Sequence, residues 1–323
     1  MAHLLKKILI SASVAAGMGL AIGAPASAAG LTGASVSGVD GTDYELYCQV
    51  GNTTTANNCT DLNAVLGTDA GNVELDFDSE TSGGWTNAVE LTGKINKKDI
   101  TISSLTKSDW TEAVATKWVT DALGATLAQN PVIGAVLQAE GIDVSNPVVL
   151  NGLIASLSQE LLGSDEVLAR LSDPNVSFVE QASVTEEISI GLIGHNNLFD
   201  VEAYASFFYE GLADLTDKSS QAIEAGIGQL TGGQGLKLQA SELVKVIYNG
   251  ETTYEYSFKA DATGVTETSD GESHSGQYIV KIDGMEMEPP ASTPEPSAMV
   301  GLAALVGLYA GKRKLQKGTE SEA

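Results

Sequence analysis

The chain has 323 residues, and 17 Lys+Arg against 42 Asp+Glu give it a formal charge of −25 and a pI near 4.2. That balance excludes a nucleic-acid binder, which needs clustered basic surface, and the 43% apolar content with a mean hydropathy of +0.04 excludes a charge-dominated disordered chain. Two cysteines are too few for a disulfide scaffold, while the length allows one large or two ordinary domains with real cores.

At the N-terminus, Lys6 and Lys7 precede an apolar run from Ile8 to Ile22, followed by Ala26-Ser27-Ala28. A positive n-region, a short h-region and an A-x-A site predict a secretory signal peptide cleaved between Ala28 and Ala29, not a lasting membrane helix.

Strand patterns follow. Residues 44–50 are rich in strand formers, and residues 72–78 alternate strictly, with Val73, Leu75 and Phe77 on one face and Glu74, Asp76 and Asp78 on the other. Ala88 to Ile95 and Asp99 to Leu105 pair as a hairpin across Asn96-Lys97-Lys98. Cys48 and Cys59 enclose a stretch of mainly Gly, Asn, Thr and Ala that reads as an exposed loop. In an exported chain this pair is expected to form a disulfide; free or intermolecular thiols are the alternative, and a metal would need nearby Cys or His ligands. Asp76, Asp78 and Glu80 could supply hard oxygen ligands to calcium. No EF-hand loop or glycine-rich repeat accompanies them, so a solvated acidic face is the reading kept, with no metal site assigned.

The middle of the chain reads as helical. Ser108 is placed as the cap of a helix to Gln129, with Asp109 and Glu112 near its positive end. Trp110, Val114, Trp118, Leu123 and Leu127 form its apolar stripe, a core face rather than a ligand platform. Pro131 to Leu137 is a short apolar segment. Asn146 caps a helix opened by Pro147, and Gly163-Ser164-Asp165 ends it and starts a short helix from Glu166 to Leu171.

A second β region begins at residue 176, with strands at 176–179 and 187–193. Residues 204–215 and 221–230 are read as helices. Asn249-Gly250 is the preferred type I′ pair, joining Leu243–Tyr248 to Thr252–Lys259; a two-residue loop sets Lys245 opposite Tyr254, and a longer loop or a bulge is the alternative. Tyr254, Tyr256 and Phe258 share a face that could stack on sugar rings, although sheet packing is the commoner use of such alternation. Asp261 to Gly276 reads as a polar loop, and Gln277 to Asp283 as a last strand.

At the C-terminus, a Pro-rich stretch from Pro289 to Pro296 leads into an uncharged apolar run from Met299 to Ala310 and then Lys312-Arg313-Lys314. The run is shorter than a comfortable permanent span. The motif Pro294-Glu295-Pro296, the apolar stretch and the basic end together resemble the PEP-CTERM sorting signal. That resemblance implies recognition and cleavage by an exosortase near the motif, in a Gram-negative-type bacterium that makes exopolysaccharide or biofilm matrix.

The predicted architecture is therefore α+β, with two mixed or antiparallel β regions flanking a helical middle. Residues 1–28 are the signal peptide, 29–288 an acidic extracytoplasmic domain with an optional division near residue 172, and 289–323 the sorting signal with a short transmembrane segment. The region 29–294 carries 11 Lys+Arg against 39 Asp+Glu, a charge of −28.

No nucleophile elbow, zinc motif, P-loop or dinucleotide fingerprint occurs, and the histidines are His3, His195 and His274. His274, within the polar loop, is a poor place for a preorganised base. The expectation is a non-enzymatic protein without cofactor, at the cell surface, the outer membrane or in the extracellular matrix, with a structural or interaction role. Its partners would be signal peptidase and exosortase during export, then exopolysaccharide or other matrix proteins. The alternatives are a secreted polysaccharide- or calcium-binding module and, behind it, a carboxylate-dependent hydrolase.

Overall fold

Two tight turns set the register of the smaller sheet. Asn96 (φ 47°) and Lys97 (φ 65°) join β6 (Glu90–Ile95) to β7 (Lys98–Ser103), and Asn249 (φ 53°) and Gly250 (φ 81°) join β10 (Val244–Tyr248) to β11 (Glu251–Glu255). Paired positive φ values match the twist of the strands they connect, which favours Asn and Gly, and Lys97 is the exception among the four. No bulge intervenes in the second hairpin, so Lys245 faces Tyr254 directly. With β2 (Thr32–Val36), the strand order is β11-β10-β7-β6-β2.

The computed structural model describes residues 29–284, apart from 57–58, 60, 67–70, 76–86, 131–132, 140, 183–186, 215, 217, 234, 269–270 and 272. Within them the fold is α+β, with strands before and after a helical middle. The larger sheet runs β12-β14-β9-β8-β5-β3-β4-β13, with β1 (Ala29–Gly30) paired alongside β8. Its strands are β3 (Glu45–Val50), β4 (Thr53–Ala56), β5 (Asn72–Glu74), β8 (Asn175–Gln181), β9 (Glu187–Gly194), β12 (Ala260–Ala262), β13 (Thr266–Glu267) and β14 (Gly276–Asp283). Each sheet takes strands from both sides of residue 172.

The helices are α1 (Leu62–Val65), α2 (Glu112–Gln129), α3 (Ile133–Ala139), α4 (Pro147–Gly163), α5 (Asp165–Arg170), α6 (Glu202–Ala213) and α7 (Ser220–Leu230). Asn146 caps α4 by accepting from Val148 N, and Ser164 caps α5. The cap of α2 is Thr111, not Ser108, so Asp109 and Trp110 lie ahead of the helix. α2 packs on α4, α4 on α6 and α6 on α7. One apolar core joins these helices to the inner faces of both sheets, with Leu46, Val73, Val176, Leu192 and Tyr278 in register across the larger sheet.

Two stretches expected as loops are structured. Between the cysteines, Thr53–Ala56 turns back as β4 against β3, and Thr54 is fully buried. A run of threonines carries little apolar signal, but its β-branched side chains suit a strand. Residues 260–262 and 266–267 form β12 and β13 of the larger sheet, and Val265 and His274 are buried.

Candidate functional site

Cys48 and Cys59 form a disulfide with their Cα atoms 5.8 Å apart. It ties β3 to the segment entering α1, and closing such a loop contributes about 2–3 kcal/mol in the chain-entropy model. Ala28, the Pro294-Glu295-Pro296 motif, the apolar run 299–310, and Asp76, Asp78 and Glu80 lie outside the described residues. Among the described residues, no helix is long and apolar enough to cross a membrane.

The aromatic face of residues 254–258 packs against the core, with its hydroxyls engaged at α2 and just ahead of it. Phe258 meets Trp118 at 6.1 Å between ring centres, and Tyr256 packs edge-on against Phe258 at 5.4 Å. The Tyr256 hydroxyl donates to Asp121 (2.7 Å) and accepts from Lys117 (2.8 Å), whose ammonium also lies 4.8 Å from the ring centre. Tyr254 donates to Asp109 at 2.8 Å. These contacts make the alternation a packing surface, as aromatic alternation usually is.

Asp109, by its sequence position a helix-end charge, is a buried hub. Its carboxylate accepts from Lys245 Nζ (2.7 Å), Tyr254, and the Thr106 amide (2.9 Å) and hydroxyl (2.7 Å). Burial alone would raise its pKa; the bonds from Lys245, Thr106 and Tyr254 outweigh burial and hold it below the ordinary value.

A second buried carboxyl has the opposite character. Residues 235–243 form an irregular segment in which Leu236, Leu238 and Ala240 are buried in alternation. Side-chain carboxamides take the place of a strand ladder: Asn130 bonds both the N–H and C=O of Lys237, Gln129 accepts from Gln239 N, and Asn197 accepts from Leu238 N. The next position in that alternation is Glu242, only 8% exposed.

Its carboxyl faces Gly194 of β9, with Tyr204 of α6 and Tyr278 of β14 nearby. Oε2 has no hydrogen-bond partner among the described residues. Burial pushes the Glu242 pKa up to about 8; its own backbone N–H opposes this and the charge of Glu74 adds to it. Burial and the charge of Glu242 also drive both tyrosine hydroxyls upward. The Tyr278 hydroxyl donates to the His195 carbonyl.

Tyr204 also lines an apolar cavity of about 20 Å³ with Trp118, Leu157, Leu198, Phe207 and Phe208. That is room for about one water molecule, not a substrate. Glu242, which can hold a proton, is not among the residues that line this cavity.

The outer face of the larger sheet carries a polar patch. The Thr54 hydroxyl and His274 Nδ1 share a 2.6 Å hydrogen bond, and Tyr47 packs edge-on against the imidazole at 4.6 Å. His274, expected within a polar loop that would not preorganise it, is fixed and buried. Tyr47 hydrogen-bonds Glu74, and its pKa is raised by burial first and then by Glu74, Glu45 and Glu267. Asn72, Asn175 and Ser177 contribute buried polar atoms that lack partners among the described residues. Each such atom costs about 1–3 kcal/mol.

Among the described residues no three Asp, Glu, His or Cys side chains converge as a metal-holding group. No family model, curated protein or solved structure matches the chain.

Proposed function

We propose that this is an exported protein, processed by an exosortase at Pro294-Glu295-Pro296 and displayed at the cell surface or in the extracellular matrix, where it serves a structural or interaction role. The observation that carries the reading is the Cys48–Cys59 disulfide. Such bonds form and persist in oxidising compartments, the environment that the signal peptide and sorting motif call for. The −28 charge of residues 29–294 supports it as well, because a self-repelling acidic surface keeps an exported component soluble.

Mass spectrometry of the protein recovered outside the cell tests the proposal. The expected mature form begins at Ala29 and ends near Pro296. Recovery of an extracellular form with its tail intact to Ala323 would overturn the sorting step.

A further inference from the structure

The outer face of the larger sheet sets two carboxylates side by side. Glu45 of β3 lies directly opposite Glu74 of β5, and Glu74 directly opposite Asn175 of β8, so the three form one lateral row. Directly opposed residues hold their Cβ atoms about 5 Å apart, and like charges in that relation repel. Asn72, two residues before Glu74 and therefore on the same face, lies opposite Tyr47 and diagonal to Glu45.

The carboxamides give the independent sign of a ligand. Asn72 is fully buried, yet neither its oxygen nor its nitrogen has a partner among the described residues, and the same holds for the carboxamide oxygen of Asn175, which is 7% exposed. Glu45 and Glu74 are only half-buried, so the row opens toward solvent at its charged end and closes at its neutral end.

We propose that Glu45, Glu74, Asn72 and Asn175 form a binding site for a hard divalent cation of the calcium class. Two carboxylates neutralise the ion and two carboxamide oxygens complete its inner side, with solvent taking the outer positions. Calcium accepts six to eight oxygens in irregular geometry at about 2.3–2.6 Å, whereas magnesium demands a near-ideal octahedron. A cation between Glu45 and Glu74 turns their repulsion into attraction. The site goes beyond the export reading and does not depend on it.

The test is the melting temperature of the full chain, stripped with chelator and then titrated separately with calcium and magnesium chloride. At 5 mM calcium the expected rise is about 2–5 °C, the size that a sub-millimolar to millimolar site would give, with a smaller rise in magnesium. Glu45→Gln, a near-isosteric change at a half-exposed position, should raise the metal-free melting temperature by relieving the repulsion and abolish the calcium-induced rise. Asn175→Ala should likewise reduce that rise. No calcium-dependent rise in the wild type, an equal rise in magnesium, or a rise untouched by Glu45→Gln would each overturn the proposal.

Discussion

A Cβ placed on Gly194 would lie 3.1 Å from both carboxyl oxygens of Glu242. The missing side chain on β9 therefore makes the space in which the buried acid sits. Gly194→Ala forces the carboxyl or the strand to shift, and overpacking of this kind typically costs about 1–3 kcal/mol. Urea unfolding should show a lower midpoint with an unchanged slope; an unchanged midpoint would mean that the carboxyl moves aside freely.

Glu242 also fixes the sign of a pH dependence. Its pKa is about 8 in the folded chain against an ordinary 4.5, so the folded state holds a proton that the unfolded state has released. The stability it contributes is complete below pH 4.5 and is lost as pH rises through about 8, in total on the order of a few kcal/mol. Glu242→Gln, which cannot ionise, should lose less stability than the wild type between pH 5 and pH 8. Parallel pH profiles for the two proteins would remove Glu242 as the source.

Asp109 acts with the opposite sign. Its pKa lies below the ordinary 3.8, so its contribution is present above that value and disappears as pH falls through the folded one. Taken together, the two carboxyls favour a stability maximum in mildly acidic solution. Asp109→Ala strands the half-buried Lys245 ammonium and removes the acceptor of Tyr254 and Thr106. A loss of about 2–4 kcal/mol is expected in denaturant unfolding, and the additional Lys245→Met change should recover part of it. A loss under 1 kcal/mol for the single variant would show the hub to be dispensable.

Short-range chemistry made much of the fold readable. Asn249-Gly250 marks its hairpin because few residues accept positive φ, whereas the turn read at Asn96-Lys97-Lys98 closes over Asn96-Lys97 alone, with Lys98 already in the strand. Asn146-Pro147 marks the start of α4 because the cap accepts Val148 N and proline has no N–H to leave unsatisfied. The alternation of Val73 and Leu75 marks an inner face, and the two cysteines flanking a short stretch of small and polar residues mark their bond.

The sequence by itself determined the α+β pattern, the positions of the two hairpins and the main helices. These rest on periodicity, turn chemistry and composition within a few residues of one another. Only the tertiary structure decided where the polar groups went. Glu242 looks like one more acid among 42, but its segment is held at an apolar position by Asn130, Gln129 and Asn197, and its room comes from a glycine on another strand. Asp109 looks like a helix-end charge until the β10–β11 hairpin brings Lys245 and Tyr254 to it. Glu45, Glu74 and Asn175 come from three strands whose order no local rule specifies. Burial and charge pairing depend on contacts distant in the chain, so these sites arise only when the sheets close around the core.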